Sequence, residues 1–345
     1  MEAKPDHTGP ASKSPISGKW RPGADLSVLI STRNRSSRLR ETLEAISRCR
    51  IPVGVKWELV LVNHNCTDDT DEVVESLAGK LPILYVREIR GGLSRARNAG
   101  LAAASGELII FTDDDVEPNT EWIAAYWSGY QERAMGFYFG GPVHSRFESA
   151  APHPDLFACA PPDVRGLDWG SESRELKRGE YFIGASWACP AGALRVLGGF
   201  NVNIGPDPSL RTWRVGEETD LMERLRMAGY VPWYVPQANV RHFVPASKCT
   251  LRYIAARGEA DGFYRTGRSV ETLDGPRILG LPRWMYREAA SRALTYSGAK
   301  LAGRTGAQEY VRFRQTIGMM KAFRQLAKGT GSVGDRDMPV TNQVR

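Results

Sequence analysis

The sequence has little of what several common protein classes require. Its 345 residues include five cysteines, Cys49, Cys66, Cys159, Cys189 and Cys249, which are widely spaced and form no CxxC pair. This pattern argues against a disulfide framework and against a thiolate zinc site, and it predicts a reducing, cytoplasmic environment. No window approaches 18 consecutive apolar residues, so the sequence predicts no helix that spans a membrane.

Motifs that mark several enzyme and binding classes are absent as well. There is no P-loop, and the segment GASWA at 184–188 has alanine where the nucleophile elbow of a hydrolase requires its second glycine. A sugar nucleotidyltransferase would carry a glycine-rich loop after its first strand, whereas STRNR occupies 31–35 here. No RRM, KH, OB or helix-turn-helix pattern is visible, so we expect no nucleic-acid partner.

The positive charge of the chain is concentrated in its C-terminal part. The formal net charge is +7, yet residues 277–330 contain eleven Lys and Arg against Glu288 and Glu309, which leaves the rest of the chain at −2. Helical stripes of apolar residues with basic flanks, as at 283–300 and 308–328, can lie on anionic membrane surfaces. Two interpretations follow: peripheral contact with the inner face of the cell membrane, or ordinary packing of these helices on the main body.

Strand and helix patterns alternate along the first third of the chain. Short apolar runs at 26–31, 57–63, 83–88 and 107–112 are typical of buried strands, and segments with apolar residues at helical spacing separate them. Alternation of this length predicts βαβ units, and therefore an α/β protein with a mostly parallel sheet. Because both faces of such a sheet are covered, its strands are continuously apolar.

Polar clusters follow the predicted strands at the points where the strands end. They are STRNR (31–35), NHNCTDDT (63–70), the region around GGLSRARN (91–98) and TDDD (112–115). In an open α/β sheet, ligands bind outside the carboxyl ends of the strands. The convergence of four such clusters therefore predicts one ligand site at this edge of the sheet.

Three consecutive aspartates end the fourth predicted strand. Asp113, Asp114 and Asp115 would repel one another, so a positive group or water should lie among them. Alternate residues at a strand end can point to the same side, and two carboxylates placed in this way can hold Mg²⁺ or Mn²⁺. The alternative is a solvated loop with turn chemistry before a helix that Asn119 caps.

Four segments in this order resemble a known family. They are LSVLISTRNR (26–35), LVLVNHNCTDDT (59–70), GLSRARNAGLAAASGELIIFTDDDVEP (92–118) and GEETDLMERLRMAGY (216–230). Together they resemble family 2 glycosyltransferases of the GT-A fold over about residues 26–245. The resemblance implies a mixed α/β sheet flanked by helices. It also implies transfer of a sugar from a nucleotide diphosphate to an acceptor hydroxyl, with inversion at the anomeric carbon.

The resemblance implies a set of donor-binding residues, with Asp113 and Asp115 as the DxD element that holds a divalent cation on the donor diphosphate. Those implied for the donor are Ser31, Arg33, Asn34, Asn63, His64, Arg97, Asp113 and Asp114. His242 resembles a late histidine that joins the metal ligands in some members. Asn63 and His64 depart from the family pattern, so the nucleobase stays open, with uridine as the default. Turn chemistry or a structural role is the alternative for the loop residues and for the histidines.

The segment GEETDL at 216–221 resembles the family's GEDxDL element, which provides the catalytic base. An inverting transfer needs a group that removes the proton of the acceptor hydroxyl, and a positioned carboxylate can do so. The resemblance implies Glu218 for this role, in place of the usual aspartate, with Glu217 and Asp220 as catalytic neighbours. The alternative is that these acids only complement the dipole of the helix at its first turn.

Two tryptophans are candidates for the acceptor side. Trp187 lies in GASWACPAGAL, which resembles the family segment before the acceptor loop, and it would either stack on a sugar ring or belong to the core. Trp213 lies in a long loop at 201–215. Loops of this length in a compact domain are usually functional or mobile, and the same holds for 145–180, which contains Trp169.

The predicted organisation follows from the resemblance and from the composition of the two ends. The divisions are a disordered leader at 1–24 that lacks the apolar stretch of a signal peptide, a GT-A catalytic domain at 25–245, a basic helical extension at 246–330 and a disordered tail at 331–345. Within the catalytic domain, 25–118 would bind the nucleotide sugar and 119–245 the acceptor.

Together these expectations describe a metal-dependent, inverting glycosyltransferase. Its donor would be a nucleotide-diphosphate sugar, a UDP-sugar by default, and its acceptor a glycan or a lipid-linked molecule of cell-envelope polysaccharide synthesis. Two alternatives are left. One is a protein of the same fold that binds nucleotide sugars with impaired catalysis, as the departures at Asn63, His64 and Glu218 suggest. The other is a sugar nucleotidyltransferase.

Overall fold

The computed structural model of the chain describes residues 23–133, 136–207, 215–268 and 276–327. Most of the predicted leader, all of the predicted tail and Trp213 lie outside these residues. The segment at 145–180, expected as a loop, contains the end of a strand, two short helices and a two-residue strand.

Strands and helices alternate through the first part of the chain, and helices dominate after residue 250, as the sequence predicts. The strands are β1 (Ala24–Thr32), β2 (Trp57–Asn63), β3 (Ile83–Arg87), β4 (Gly106–Thr112), β5 (Val116–Pro118), β6 (Phe137–Gly140), β7 (Val143–Phe147), β8 (Arg174–Glu175), β9 (Ser186–Pro190), β10 (Val231–Tyr234), β11 (Val240–Val244), β12 (Arg277–Ile278) and β13 (Leu281–Pro282). The helices are α1 (Ser36–Ile46), α2 (Thr70–Leu77), α3 (Leu93–Ala103), α4 (Trp122–Arg133), α5 (Pro154–Phe157), α6 (Pro162–Arg165), α7 (Ala191–Val196), α8 (Glu217–Met227), α9 (Leu251–Arg268), α10 (Arg283–Leu301) and α11 (Ala307–Ala327), with a 3-10 turn at Ala246–Cys249.

The central sheet has eight strands in the order β3-β2-β1-β4-β9-β6-β10-β8. The first four are parallel and β6 is parallel to β10, but β9 runs antiparallel to both of its neighbours. The sheet is therefore mixed and flanked by helices, which confirms the α/β class, whereas the expectation of a mostly parallel sheet is too simple. Apolar patterning reports the burial of a strand and not its direction, so it could not show how β9 enters the sheet.

β1 lies at the centre of the parallel part of the sheet. Its side chains are buried along both faces, and Leu29 lies opposite Val60 on β2 and Phe111 on β4. On the other face of the strand, α1 contributes Leu39 and Leu43 to the apolar cluster that contains Val28 and Ile30. Burial of apolar surface stabilises such a core by roughly 25 cal/mol per Å². The carboxyl ends of β1, β2 and β4, which carry most of the predicted site residues, are therefore fixed by a packed sheet.

A three-stranded sheet in the order β5-β11-β7 lies beside the aspartates. β5 begins at Val116, directly after Asp115, and pairs antiparallel with β11, where His242 lies opposite Val116. The backbone N–H of Phe243 also donates to the carbonyl of Asp115 at 2.8 Å. This pairing places a histidine from a distant part of the chain next to the acidic cluster.

The C-terminal helices pack on the main body. α9 lies along α11, and Ile254 and Ala255 of α9 are buried in one cluster with Val244 of β11. α10 packs on α11, with Met285 buried against Phe323. The helical character predicted for this part of the chain is confirmed over the described residues, with the hairpin β12–β13 as an interruption. No helix among the described residues combines the length and the apolar character needed to cross a bilayer.

Candidate active site

A large cleft opens at the edge of the sheet where β1 and β4 end. Its volume is about 1500 Å³. Its lining includes Arg35 from the loop after β1, Asp113 from the end of β4, Glu217 and Glu218 from the start of α8, and several residues of α9. Charged side chains from segments that are far apart in the sequence therefore meet at one site, as the strand-end clusters predict.

The three predicted metal ligands lie together, and one of them, Asp113, lines this cleft. Asp113, Asp115 and His242 bring one ligand atom each within 4.8 Å of the others. Nε2 of His242 lies 3.3 Å from Oδ1 of Asp115, a buried oxygen with no hydrogen-bond partner besides this contact among the described residues. Two carboxylates and an imidazole are ligands that Mg²⁺ or Mn²⁺ can accept, so these residues fit a divalent cation.

Asp114 points into the protein. Its Oδ2 accepts a hydrogen bond from Oγ1 of Thr32 at 2.7 Å, and its Oδ1 accepts from Nη1 of Arg35 at 3.0 Å. Burial raises the pKa of Asp114 to about 6, although Arg35 opposes the shift. The prediction that Asp114 contacts the donor is not supported by this placement, because both oxygens hold the loop after β1 against the end of β4.

Arg35 is a site residue that the sequence analysis did not single out. Its Nη1 lies 3.0 Å from Asp114 and 2.9 Å from Asp115, and about half of its side chain is exposed. Burial alone would raise the pKa of Asp115, but His242 and Arg35 hold it at about 2. Arg35 thus supplies the positive charge that consecutive aspartates require. The sequence contained the signal, because Arg35 is the last residue of the STRNR cluster.

Arg97 is buried and binds three carboxylates. Its Nη1 donates to Oε1 of Glu217 at 3.0 Å and to Oε1 of Glu218 at 2.7 Å, while its Nη2 donates to Oδ1 of Asp113 at 3.2 Å. Sequence analysis assigned Arg97 to the donor. The structure places its guanidinium between the metal-ligand candidate Asp113 and the two glutamates, where it balances the charge of these acids, and its contact with the donor stays a prediction.

Glu217 and Glu218 differ in protonation because their surroundings differ. Glu217 is 3 % exposed, and burial together with the neighbouring Glu218 carboxylate raises its pKa to about 8. Burial also acts on Glu218, but the charge of Arg97 and a hydrogen bond from Glu217 lower its pKa below the ordinary value. Glu218, whose side chain is 21 % exposed and lines the cleft, is therefore ionised at neutral pH and able to accept a proton.

Two glycines make this arrangement of glutamates possible. Gly216, directly before α8, has a φ of 97°, and the ring of Tyr264 from α9 fills the space that a Cβ would need. Gly184, two residues before β9, has Oε1 of Glu218 in the position of a Cβ. Any larger residue at 184 would therefore displace the carboxylate of Glu218.

The asparagines predicted to bind the donor hold the loops after β1 and β2 in place. Asn34 has a positive φ of 51° and accepts from the backbone N–H of Thr67 at 2.7 Å. Asn63 donates to the hydroxyl of Tyr85 at 2.6 Å and accepts from the backbone N–H of Cys66 at 2.7 Å. These bonds explain why both loops keep polar side chains at positions where the chain turns.

His64 and Ser31, two further residues predicted to bind the donor, differ in whether their polar atoms already have hydrogen-bond partners within the protein. Nε2 of His64 lies 3.1 Å from the carbonyl of Arg90, so this nitrogen carries the proton and donates it. Burial, with the charge of Arg33, lowers the pKa of His64 and keeps the ring neutral. Ser31 has a buried hydroxyl without a hydrogen-bond partner in the described part of the chain. The Ser31 hydroxyl therefore makes no hydrogen bond within the described residues, whereas the ring of His64 already donates one.

Part of the chain matches a known protein family. Residues 27–186 match the family model described as Glycosyl transferase family 2. This stretch is a family 2 glycosyltransferase domain. The succinoglycan biosynthesis protein ExoM of Rhizobium meliloti (strain 1021) is 25 % identical over 273 residues, which cover 77 % of this chain and 78 % of ExoM. A pre-mycofactocin glycosyltransferase of Mycobacterium tuberculosis is 26 % identical, over 63 % of this chain and 42 % of its own length. The chain is thus a glycosyltransferase.

Solved structures agree on the fold of this glycosyltransferase. The mannosyltransferase PcManGT from Pyrobaculum calidifontis, in complex with GDP-Man and Mn²⁺, has a TM-score of 0.56 at 19 % identity, over 90 % of this chain and 91 % of its own. Residues 1–349 of S. aureus TarS, in complex with UDP, give 0.51 at 14 % identity, over 89 % and 92 %. At these identities the similarity shows the fold alone, and it confirms the predicted GT-A architecture.

Trp187 lies in the core of the glycosyltransferase, and Trp169 lies beside the cleft. Trp187 is 0 % exposed and stacks on Phe111 with ring centroids 4.5 Å apart. The core alternative therefore accounts for Trp187, and the acceptor-binding role predicted for it is not supported, because no part of its ring is accessible. Trp213 lies outside the described residues. Trp169 donates from Nε1 to the carbonyl of Tyr181 at 3.0 Å and so supports a residue that lines the cleft.

Asp220 of the glycosyltransferase contacts α8 itself. Its Oδ2 accepts from Nε of Arg224 at 2.8 Å, one helical turn later. The same guanidinium donates to the carbonyls of Leu197 and Gly199, both at 2.7 Å. Asp220 therefore helps to hold α8 against the end of α7, and the catalytic role that the motif implied for it stays a prediction.

Proposed function

We propose that this glycosyltransferase transfers a sugar from a nucleotide-diphosphate donor to an acceptor hydroxyl with inversion at the anomeric carbon. One observation carries the proposal: Asp113, whose ligand atom lies within 4.8 Å of those of Asp115 and His242, lines the same cleft as Glu218, whose pKa is lowered. In a single displacement the acceptor oxygen bonds to the anomeric carbon while the bond to the diphosphate breaks. Glu218 accepts the proton of the acceptor hydroxyl as this happens.

The proposed cation ligands are Asp113, Asp115 and His242. A divalent cation bound there would neutralise the charge that develops on the leaving diphosphate. The protein's own residues prepare the site: Arg35 keeps Asp115 ionised, and Arg97 ties Asp113 to the two glutamates. The donor would lie over the loops after β1 and β2, next to the end of β1, where the Ser31 hydroxyl is buried and has no hydrogen-bond partner among the described residues. We thus assign 25–118 to the donor and 119–245 mainly to the acceptor.

The donor nucleotide is proposed to be uridine diphosphate by default. The TarS structure contains UDP and the PcManGT structure contains GDP-Man, so proteins of this fold take different nucleobases. The acceptor is proposed to be a glycan or a lipid-linked molecule of cell-envelope polysaccharide synthesis. The name of the relative ExoM, a succinoglycan biosynthesis protein, supports this class.

A donor panel tests the proposal. Purified protein is mixed with UDP-, GDP- and dTDP-sugars in Mn²⁺ or in EDTA, and nucleotide release and thermal shift are measured. We expect one nucleotide group to raise the melting temperature and to be released, in Mn²⁺ only. Asp115→Asn should lose the Mn²⁺ dependence, while the exposed control Asp155→Asn should keep it. If no nucleotide diphosphate binds with or without metal, the proposal fails. Tight binding without any turnover would favour the catalytically impaired alternative.

The proposal includes weak contact of α10 with an anionic membrane surface. Leu294 and Leu301 lie seven residues apart on this helix and are 73 % and 91 % exposed, and Leu279 at the β12–β13 turn is also exposed. Basic residues such as Arg287 accompany them along the helix. Co-sedimentation with phosphatidylglycerol vesicles should fall in a Leu294→Glu, Leu301→Glu variant and not in the control Val53→Glu, which changes an exposed apolar residue elsewhere. Equal co-sedimentation of the wild type and both variants would show that α10 does not bind the membrane through these leucines.

A further inference from the structure

Two helices outside the 27–186 family segment form walls of the cleft. On α8, cleft-lining residues recur every four positions, starting from the proposed base: Glu218, Met222 and Arg226. On α9 they recur in the same way: Tyr253, Arg257, Asp261 and Arg265. Residues four apart lie on one face of a helix. Each helix therefore presents one continuous stripe to the same space.

The α8 and α9 stripes are held in position by packing. The ring of Tyr264 from α9 lies where a Cβ of Gly216 would be, which fixes α9 against the start of α8. Asp261 accepts from Nε of Arg265 at 2.9 Å and from Nε2 of Gln315 on α11 at 2.8 Å. α11 thus orients the polar groups of the α9 stripe from behind. The groove between the stripes is preorganised, as a specific ligand site requires.

A third segment completes the groove at its outer end. Arg226 donates to the hydroxyl of Tyr138 at 3.1 Å and to the carbonyl of Glu180 at 2.6 Å, which fixes the 179–184 segment against α8. Tyr181 from this segment lines the cleft, and Trp169 packs edge-on against its ring. The aromatic ring of Tyr181 is therefore supported from the side away from the groove by a residue of the long 145–180 segment.

The chemistry of the groove suits a carbohydrate. Its outer part combines a phenol ring with carboxylate and guanidinium groups of both signs, as at Tyr181, Asp261 and Arg265. Neighbouring hydroxyls of a sugar can donate hydrogen bonds to a carboxylate and accept them from a guanidinium group. The face of an aromatic ring packs against the C–H surface of a pyranose ring. A polyanion would need an excess of cations, whereas carboxylates outnumber basic groups among the described lining residues.

The length of the groove bears on the size of the acceptor. Glu218 and Arg226 are eight residues apart on α8, which corresponds to about 12 Å along the helix axis. A single sugar whose hydroxyl reaches Glu218 would leave the outer part of such a groove empty. We propose that the groove between α8 and α9 is an acceptor subsite for a glycan of at least two sugar units, with Tyr181, Asp261 and Arg265 binding the unit beyond the one that reacts. This inference rests on the proposed transferase function.

The experiment compares acceptors of different length. With the donor found in the panel, transfer is measured to p-nitrophenyl glycosides of glucose, galactose, mannose and N-acetylglucosamine, and to their β-1,4-linked disaccharides. We expect kcat/KM for the best disaccharide to exceed that of its monosaccharide at least tenfold. Arg265→Ala and Tyr181→Ala should abolish this advantage through a higher KM for the disaccharide.

Arg252→Ala is the matched control, because Arg252 is exposed on the same helix and does not line the cleft. It should keep the preference for the disaccharide. The inference is overturned if monosaccharides serve equally well, if the variants keep the preference, or if the donor is hydrolysed while no glycoside is accepted. A failure of the proposed function has a different signature, since then no nucleotide diphosphate binds and no nucleotide is released.

Discussion

Nη1 of Arg97 donates to Oε1 of Glu218 at 2.7 Å, across 121 positions of the chain. The guanidinium is buried, and the same group reaches Glu217 and Asp113. The guanidinium of Arg97 therefore contacts the proposed base, its protonated neighbour Glu217 and the proposed metal ligand Asp113. This relationship links the two chemical halves of the site, so the first prediction concerns Arg97.

Arg97→Met should unfold the protein more easily and abolish transfer. Removing one partner of a buried ion pair leaves charges without compensation and typically costs about 3–5 kcal/mol. Urea denaturation measures the loss of stability, and nucleotide release measures the loss of turnover. Arg50→Met is the control, because Arg50 forms an exposed pair with Glu121, whose removal should leave the denaturation midpoint near that of the wild type. Similar midpoints for both variants would show that Arg97 does not hold the acids together.

Gly184→Ala should impair catalysis much more than stability. A Cβ at this position overlaps the carboxylate of Glu218, a side-chain end that can move away, so the fold is kept while the base is displaced. A base that is misplaced by about 1 Å can cost roughly 100-fold in rate. Gly192→Ala is the matched control, because nothing lies within 4 Å of the Cβ that this change adds. Equal turnover of the two variants, with equal melting temperatures, would contradict the placement of Glu218.

Because of Glu217, the free energy of unfolding should decrease as the pH rises. Its pKa is raised from 4.5 to about 8, first by burial and then by the Glu218 carboxylate. Between these values the folded protein keeps a proton that the unfolded chain releases, so the free energy of unfolding falls with increasing pH. A full proton difference corresponds to about 1.4 kcal/mol per pH unit, which gives a decrease of roughly 2 kcal/mol between pH 6 and pH 8.

The Glu217→Gln variant isolates this contribution. Glutamine is neutral at every pH and resembles the protonated acid, so the variant should lose less stability over the same range. Urea denaturation at pH 6, 7 and 8 in EDTA compares the two proteins while excluding metal binding. Parallel curves for wild type and variant would mean that Glu217 is already ionised in the folded protein.

The sequence predicted the features that depend on local pattern. Continuous apolar runs identified β1, β2 and β4, because residues buried on both faces of a sheet cannot be polar. The positions of Asp113, Asp115 and His242 followed from the resemblance to the family, and the structure brings their ligand atoms together. Motif order was therefore sufficient to find the proposed cation site.

Other features depend on which side chains meet across long stretches of chain, and a single sequence does not contain that information. The motif that contains Arg97 gives its position and not its partners, which come from α8. Trp187 could have faced either a sugar or Phe111 until the pairing of β9 with β4 was known. The face of α9 that lines the cleft carries no motif, so its residues were assigned only to a basic tail.

The central claim is that Glu218 is the base of a sugar transfer, and Glu218→Gln tests it most directly. Glutamine keeps the size of the side chain and removes its ability to accept a proton, so donor binding in Mn²⁺ should stay within about threefold of the wild type. Transfer should fall at least about 100-fold, the usual contribution of general base catalysis. Glu217→Gln, which replaces a group that is already protonated, should lose much less. Turnover by Glu218→Gln within about twofold of the wild type would contradict the account.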